Sequence, residues 1–340
     1  MLAMDIGIDL GTSHIKVYVK GKGIVLSEAN AISFDAYTDE MIAIGQSAKD
    51  MLERTPETIE LSQPIKSGVI ADFSIMREIL DYTLKRVCGN TVFRPNVIIS
   101  VPSSCTALEK KAVIDAACSS GAGKVSVIEE PIASALGAGI SINKPYGVMV
   151  VDLGAGTSDI AVITMGTVAV STSLKVAGDD MNEAIRQYIK REKDIDIGIP
   201  TAEKIKCTVG CAFPNGEELE MAANGKDHVS GMPVMFTITS NDIYHALSEC
   251  IESIMGEIRN VLEQTPPEMY SDICNEGIIL TGGASKLHGI DKALEERFNI
   301  KVTVCADGEN CAAKGAGYAL KNMKSLEDSG YIFKLKEQVM

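Results

Sequence analysis

Apolar residues recur along this chain with two different spacings, which separate the predicted strands from the predicted helices. Near the N-terminus, IGIDL, HIKVYVK and GIVLSEANAISF alternate around glycine turns, which predicts a meander of β-strands. After Asp72 the apolar residues fall at 75, 76, 79, 80, 84 and 87, the spacing of an amphipathic helix that Asp72 caps. NVIISVP then predicts a buried strand, and Thr106 with Glu109 forms a capping-box pattern before the next helix.

The same order of elements begins again near residue 147. GVMVVDLG, TSDIAVITMG and TVAVSTSLKVAG predict three more strands, and Asp179 or Asp180 is expected to cap the helix MNEAIRQYIKRE. Residues 193–240 are mixed and loop-rich, and the stretch after them predicts a long amphipathic helix that ends at Thr265. Each half therefore runs strands, helix, strand, helix. This order predicts a duplicated α/β unit with an insertion in each half, near 36–66 and 181–240.

Length and charge limit the classes of protein that fit. The chain has 340 residues, enough for two domains, and a net charge of -14. A nucleic-acid-binding protein usually presents a basic face, so this charge disfavours that class and gives no general attraction to anionic membranes. The sequence has no N-terminal signal pattern and no apolar run near the about 20 residues of a membrane span.

The nine cysteines show no pairing pattern, and their odd number favours reduced thiols in a cytosol. Cys207 and Cys211 are spaced like neighbours on successive helical turns, but a structural zinc site needs two further ligands. The four histidines do not supply that spacing, so small buried side chains are the preferred interpretation.

A turn motif that occurs twice in the sequence is the basis of the main chemical hypothesis. Asp9-Leu10-Gly11-Thr12 and Asp152-Leu153-Gly154-Ala155-Gly156-Thr157 each follow a buried strand and lead into another. Glycine lets the backbone approach a ligand and adopt positive φ, and converging N–H groups bind phosphate. A carboxylate beside the phosphate holds hydrated Mg²⁺. Two facing turns would clamp a polyphosphate; the alternative is that each is only a tight hairpin. No P-loop pattern is present, and strands rather than a helix follow the glycines, unlike a Rossmann fingerprint.

Two further stretches are candidates for contacts with a nucleoside. The Gly-Gly turn of LTGGAS, at 280–285, leaves room for a base or ribose against the backbone. TAEKIK places Glu203 and Lys206 on one helix face, where they would flank an adenosine. A solvated i,i+3 ion pair is the alternative, and the spacing alone favours it.

Together these motifs resemble the phosphate-1, phosphate-2 and adenosine motifs of the actin, Hsp70 and sugar-kinase superfamily. The stretches GKGIVLSEANAISFD, SGVIADF, VIEEPIASALGAGI, TAEKIK, TPPEMYSDICNEGIILTGG and AAKGAGYAL are similar to the bacterial actin MreB/Mbl family, from about residue 5 to 325. The resemblance implies an α/β actin-like ATPase fold, two duplicated RNase H-like domains around a nucleotide cleft. It implies domain I at 1–145 with insertion IB at about 33–66, domain II at 146–315 with insertion IIB at about 181–240, and a C-terminal helix and tail at 316–340 that return to domain I.

The resemblance also implies a role for particular residues toward ATP or ADP and Mg²⁺. Glu130, in the EEP motif, would orient the attacking water, and Asp9 and Asp152 would hold Mg²⁺ through waters. The implied nucleotide-binding residues are Asp9, Gly11, Thr12, Ser13, His14, Lys16, Asp152, Gly154, Ala155, Gly156, Thr157, Gly178, Asp179, Glu203, Lys204, Lys206, Gly282, Gly283, Ala284 and Ser285.

Four of these positions depart from the family pattern. His14 stands where Asn is usual, and Lys16 stands where bacterial relatives have an uncharged residue, although actin has a lysine there. Ala155 and Ala284 each replace a glycine, and the methyl group of Ala155 is expected to crowd a phosphate. The sequence therefore predicts nucleotide binding and leaves the rate of hydrolysis open.

At the level of the cell, the resemblance implies a cytoplasmic ATPase that polymerises into filaments at the inner face of the membrane. Such filaments organise cell-wall synthesis and cell shape together with cell-wall elongation proteins. Val92 and Phe93, in GNTVFRP, match an apolar membrane loop of the family; a loop tucked onto its own domain is the alternative. A non-polymerising nucleotide-binding scaffold is the alternative function. A sugar kinase would need a catalytic Asp in a substrate cleft, and a chaperone would need a further substrate-binding region. The choice between MreB and a paralogue such as Mbl stays open.

Overall fold

The computed structural model describes residues 4–66, 69–89, 94–214, 216, 218–328 and 334–335. The first part of the chain forms strands and helices in the following order: β1 (Asp5–Leu10), β2 (His14–Val19), β3 (Gly23–Ala29), β4 (Ile32–Asp35), β5 (Met41–Ile44), α1 (Gln46–Lys49), β6 (Ile59–Ser62), β7 (Ile65–Lys66), β8 (Val69–Ile70), α2 (Phe73–Cys88), β9 (Asn96–Val101), α3 (Ala107–Ser119), β10 (Lys124–Glu129) and α4 (Glu130–Gly137).

The second part continues with the same kinds of element. Their order is β11 (Val148–Leu153), β12 (Ser158–Thr164), β13 (Thr167–Leu174), α5 (Gly178–Lys193), β14 (Ile195–Asp196), α6 (Ile199–Val209), β15 (Glu220–Asp227), β16 (Pro233–Thr239), α7 (Ser240–Gln264), α8 (Pro267–Glu276), β17 (Ile278–Thr281), α9 (Ile290–Phe298), β18 (Val302–Val304), α10 (Cys311–Asp328) and β19 (Lys334–Leu335).

Two large sheets repeat one arrangement of strands. In the first sheet, of order β19-β10-β9-β1-β2-β3, an antiparallel meander of β1 to β3 continues into β9 and β10, which run parallel to β1. In the second, of order β13-β12-β11-β17-β18, the meander of β11 to β13 continues into the parallel strands β17 and β18. The predicted α/β duplication is therefore present, and the repeated turns join the first two strands of each meander.

A smaller three-stranded sheet accompanies each large sheet. Strands β5-β4-β6 with α1 form one, and β14-β15-β16 beside α6 form the other. The long hairpin β15–β16 lies where the sequence predicted a mixed, loop-rich region. Its exposed positions include Glu220 and Lys226, and only Ala223 and Ile238 are buried. The domain boundaries drawn from the sequence, at 145 and 315, stay predictions.

Local capping signals decide where several helices begin. The side chain of Asp72 accepts from the N–H groups of Ser74 and Ile75, and Thr106 with Glu109 forms the predicted capping box. The prediction that Asp179 or Asp180 caps α5 is wrong, because the N-cap residue of this helix is Ala177. Asp180 lies inside the helix, and its carboxylate accepts from the Ala177 N–H at 2.9 Å.

Helices α4 and α10 cross between the two large sheets. An apolar cluster there contains Ile98 of β9, Val150 of β11, Ala133 of α4 and Ala316 of α10, all fully buried. Two glycines allow the helices to touch through their backbones: a Cβ on Gly137 would overlap the carbonyl of Cys311, and one on Gly315 would overlap the carbonyl of Ala133. A larger side chain at either position would force the helices apart.

No described helix of this protein is long and apolar enough to cross a membrane. The described cysteines are all free thiols. Cys207 is exposed on α6, whereas Cys211 lies beyond the end of that helix and is buried beside His288. Within the described part of the chain no three histidine, cysteine or acidic side chains form a metal-binding group. The exposure of Cys207 corrects the expectation that both cysteines are small buried side chains.

Gly315→Ala is expected to lower the free energy of unfolding by roughly 1–3 kcal/mol, because the added methyl overpacks the crossing of α4 and α10. Gly256→Ala is the matched control, since Gly256 lies in α7 and no atom of a neighbouring element comes within 4 Å of the place its new methyl would take. This control is expected to be neutral or to gain up to about 1 kcal/mol from helix propensity. Urea unfolding of both variants makes the comparison, and equal stabilities would refute the close crossing.

Candidate functional site

A cavity of about 680 Å³ lies between the two large sheets, and the repeated turns form its floor. Seventeen of the residues predicted to bind a nucleotide or act on it line this cavity. They are Asp9, Gly11, Thr12, Ser13, His14, Lys16, Glu130, Asp152, Gly154, Ala155, Gly178, Asp179, Glu203, Lys206, Gly282, Gly283 and Ala284.

The two turns face each other and come into direct contact. A Cβ on Gly156 would fall within the Thr12 side chain, so glycine is required where the turns meet. A Cβ on Gly11 would lie 2.9 Å from the carbonyl of His14, and one on Gly154 would lie 3.0 Å from that of Thr157. None of these three glycines has positive φ, which corrects that part of the sequence interpretation. Close approach, rather than backbone conformation, is the reason for them.

Gly282 differs from the other glycines of the site. Its φ is +85°, and a Cβ there would lie 2.5 Å from a carboxylate oxygen of Asp152. The strand β17 can therefore turn beside Asp152 only with glycine at this position. The turn brings Gly283 and Ala284 to the cavity wall.

Four carboxyl groups gather beneath the turns, and burial raises the pKa of each. Burial chiefly raises the pKa of Asp9 from 3.8 to about 6, and that of Asp159 to about 6 as well. The pKa of Asp152 is raised for the same reason, and that of Glu130 is raised well above its usual value by burial and by the charge of Asp159. Four carboxyl groups so close together favour the binding of a cation beside them.

Hydroxyl groups orient two of these carboxylates. Ser100 donates to Asp9 at 3.1 Å, while Ser134 and Thr281 both donate to one oxygen of Asp152, Thr281 at 3.0 Å. Asp9 and Asp152 thus keep further oxygen lone pairs that face the cavity. This all-oxygen pair fits Mg²⁺ held through water, since Mg²⁺ retains several of its waters in such sites.

Lys16 spans the cavity from β2. It is the cross-strand partner of Asp9, and its ammonium group donates to the carbonyl of Glu309 on the opposite wall. The carboxylate of Glu309 pairs with Lys286 at 2.9 Å. The positive charge of Lys16 lowers the pKa of both Asp9 and Asp152, against the effect of burial.

Helix α1 and the segment after it contact α6 across the mouth of the cleft. Lys49 of α1 pairs with Glu203 of α6 at 3.4 Å, and the carboxylate of Glu53 accepts from the N–H of Ile199 at 2.9 Å. Ile199 is the first residue of α6, so Glu53 satisfies a free N–H of that helix from the other side of the cleft.

His14 lies half-buried in the cleft. Its Nδ1 is 3.0 Å from the Ser13 hydroxyl. Burial, followed by the charges of Lys49 and Lys16, lowers the pKa of His14, so the ring is neutral at neutral pH. A neutral imidazole adds no charge to the two lysines already near the site.

Helices α5 and α6 form one wall of the cavity. Lys206 donates to the carbonyl of Gly178 at 2.5 Å, and the N–H of Asp179 donates to the carbonyl of Ala155 at 2.8 Å. Burial lowers the pKa of Lys206 and raises that of Asp179. These bonds tie the start of α5 to the second turn.

Four predicted residues do not line the cavity. Gly156 lies where the second turn contacts Thr12, and the Thr157 hydroxyl bonds to Asp159. Ser285 is buried and donates to the carbonyl of Gly282 at 2.7 Å, and Lys204 is exposed on α6. The candidate membrane residues Val92 and Phe93 lie outside the described residues.

The cavity also contains residues that were not among the predicted nucleotide-binding residues. Lys286 directly follows LTGGAS and was within reach of that motif, whereas the others carry no local signal. The residues that were missed are Met181, Cys207, Thr208, Gly210, Leu219, Lys286, Leu287, His288, Gly308, Glu309 and Ala312.

Comparison with known proteins gives similar chains of nearly the same length. The profile of the family described as MreB/Mbl protein matches residues 3–328. The cell shape-determining protein Mbl of Bacillus cereus is 43% identical over 327 residues, covering 96% of this chain and 98% of that protein. The cell shape-determining protein MreB of Escherichia coli is 40% identical over 327 residues, covering 94% of each.

Solved structures agree with the sequence relatives. MreB 5 of Spiroplasma citri bound to AMPPNP matches with a TM-score of 0.92 at 34% identity, over 97% of this chain and 100% of that one. The same protein bound to ADP matches with a TM-score of 0.91. The actin-like α/β fold expected from the sequence is confirmed. The chain belongs to the MreB/Mbl family of cell shape-determining proteins.

Proposed function

We propose that this protein binds ATP with Mg²⁺ in the cleft, hydrolyses it, and assembles into filaments at the cytoplasmic face of the membrane. One observation carries the proposal: two glycine turns in direct contact enclose a cavity floored by buried carboxylates. The S. citri relative, whose fold is alike, was solved with AMPPNP and with ADP. Together these support nucleotide binding in the same cleft.

In the proposed complex the two turns hold the phosphates. The backbone N–H groups and the hydroxyls of Thr12 and Ser13 would face the phosphate oxygens, since both residues line the cavity. Lys16 would exchange the Glu309 carbonyl for a phosphate oxygen. Mg²⁺, when bound, neutralises phosphate charge, and Asp9 and Asp152 would hold it through waters.

Glu130 is the proposed catalytic residue. It is the first residue of α4, lines the cavity, and lies among the other carboxyl groups. A carboxylate there can accept a hydrogen bond from water and orient it toward the terminal phosphate. The neighbouring Glu129 has a different role, because it pairs at 3.2 Å with Lys110, which is only 3% exposed.

Filament formation is supported by apolar side chains on both small sheets. Tyr37, Met41 and Ile42 are exposed near β4 and β5, and Val229 and Met235 are exposed on the β15–β16 hairpin. Exposed apolar groups in this number favour contact with another protein surface. We propose that the partner is a second copy of this chain, and that cell-wall elongation proteins use the resulting filament. A non-polymerising nucleotide-binding scaffold is the alternative.

Glu130→Gln is expected to keep ATP affinity within about twofold and to slow phosphate release by about 100-fold or more, because an amide cannot take a proton from water. Glu129→Gln is the matched control, and it is expected to keep turnover while losing stability through Lys110. Single-turnover phosphate release and equilibrium nucleotide titration measure the two effects. Unchanged turnover in Glu130→Gln would remove this residue from the mechanism.

Asp9→Asn is expected to make the nucleotide-free protein more stable at pH 7 by about 1–3 kcal/mol, since it removes a carboxyl group whose ionisation the fold disfavours. Between pH 3.8 and about 6 the folded state holds the Asp9 proton more tightly than the unfolded state does. Stability therefore falls as pH rises through that window, and the variant should flatten this slope.

The same Asp9→Asn variant should lose most of the stabilisation that Mg²⁺ and ATP give to the parent. Urea unfolding at pH 5 and pH 7, with and without nucleotide, tests both effects. Asp5→Asn on the same strand is the control, because Asp5 pairs with Lys20 at 3.0 Å and its loss should not stabilise the protein. A less stable Asp9→Asn protein would contradict the electrostatic account.

One variant is expected to keep filament formation and to lose membrane attachment. The double substitution Val92→Ser/Phe93→Ser should leave ATP-dependent filaments visible by negative-stain microscopy and greatly reduce pelleting with anionic liposomes. Two apolar side chains supply only about 3–5 kcal/mol when buried, so a single chain binds weakly and a filament binds by avidity. Absence of filaments in the parent with ATP would favour the scaffold. Equal pelleting would exclude these two residues as the anchor.

A further inference from the structure

Two cysteines lie beside each other at the edge of the cleft. Cys305 follows β18, and Cys311 is the first residue of α10. Their sulfur atoms are 3.3 Å apart, closer than two unbonded sulfurs pack without a specific contact. Cys311 is 1% exposed, while Cys305 is half-buried.

The backbone holds this pair in place. The N–H of Cys305 donates to the carbonyl of Leu280 at 2.9 Å, which continues the parallel pairing of β17 and β18. Cys311 is fixed by the crossing of α4 and α10, where its carbonyl packs against Gly137. A disulfide bond is about 2.05 Å long, so the two sulfurs need to approach by only about 1.3 Å.

The loop between the two cysteines forms part of the cavity wall. Gly308 and Glu309 line the cavity, and the carbonyl of Gly308 accepts from the N–H of Gly282 at 3.1 Å. The carbonyl of Glu309 accepts from Lys16, and its carboxylate pairs with Lys286. A movement of either cysteine is therefore transmitted to the residues that would surround the nucleotide.

We propose that Cys305 and Cys311 are a thiol–disulfide exchange site, oxidised by small-molecule disulfides, whose disulfide form weakens nucleotide binding in the cleft. The second half of this statement rests on the proposed nucleotide site. The first half does not, because it concerns only the two thiols and a soluble disulfide such as oxidised glutathione.

The proposed thiol–disulfide exchange takes place in two steps. The thiolate of Cys305 attacks one sulfur of the soluble disulfide, whose bond breaks and releases one thiolate that takes up a proton. Cys311, deprotonated, then attacks the sulfur of Cys305 and expels the second small thiolate, which is protonated in turn. The protein loses two protons and two electrons, and the soluble disulfide is reduced to two thiols.

The order of the steps follows from burial. Burial, more than the neighbouring Cys305, raises the pKa of the Cys311 thiol, so this sulfur is a poor first nucleophile. Cys305 is the more exposed sulfur and reacts first. Cys311 then closes the bond.

Trypsin gives a direct readout of the exchange. Lys301 and Lys314 flank both cysteines, and no Lys or Arg lies between them, so one peptide carries the pair. After treatment of the folded chain with oxidised glutathione and alkylation, the disulfide form gives this peptide two hydrogens lighter and unlabelled. The reduced form gives the same peptide with two alkyl groups.

Nucleotide affinity is measured on the same samples with a fluorescent ADP. The oxidised protein is expected to bind at least about fivefold more weakly, a coupling at the lower end of those seen between linked sites. Dithiothreitol should restore the original affinity. Cys305→Ser should keep its affinity through the oxidant treatment, and Cys274→Ser, an exposed cysteine on α8, should respond as the parent does.

The outcomes separate the exchange site from the nucleotide site. If the reduced parent fails to bind ADP, the proposed function fails, while the peptide still reports whether the disulfide forms. If the peptide keeps two alkylated thiols, or the oxidised and reduced proteins bind equally, the exchange proposal is overturned. Loss of affinity that persists in Cys305→Ser also overturns it and points to Cys207, which is exposed in the cavity.

Discussion

The close crossing of α4 and α10 is the constraint on which the cleft depends. Both helices lie between the large sheets, and their backbones meet at Gly137 and Gly315. Helix α4 begins at Glu130, and the first turn of α10 includes Ala312, so both helices start at the cavity. The contact between α4 and α10 therefore fixes the position of the two repeated turns relative to each other. The packing of these two helices thus sets the geometry of the polar cleft.

The electrostatics of the cleft oppose the stability of the empty protein. Asp9, Asp152, Asp159 and Glu130 are all disfavoured as anions by burial, and the charge of Lys16 offsets this only in part. Sites prepared for a ligand commonly lower the stability of the free protein in this way. A cation bound in the proposed site would offset this negative charge. Its binding would then be coupled to folding through the same four carboxyl groups.

The features that could be predicted from the sequence are those that depend on residues close together in the chain. The turns at Asp9 and Asp152 are contiguous motifs, and the cap at Asp72 depends on residues within three positions of it, so both could be found without a structure. The contact between Lys16 and Glu309 joins positions 293 residues apart, and no local pattern encodes it. The hairpin β15–β16 escaped because β15 contains Asn224, Gly225 and Lys226, which have low strand propensity, and each of its strands buries only one residue.

The duplication is not symmetric, and the difference lies at one cross-strand position. Asp9 pairs across its hairpin with Lys16, whereas Asp152, its equivalent, pairs with Asp159. Side chains at such paired positions lie on one face of the sheet and affect each other's charge. The first turn therefore combines a carboxylate with a cation, which suits a phosphate oxygen, and the second combines two carboxylates, which suits a metal ion or a polarised water. Two copies of one turn thus provide two different chemical surfaces.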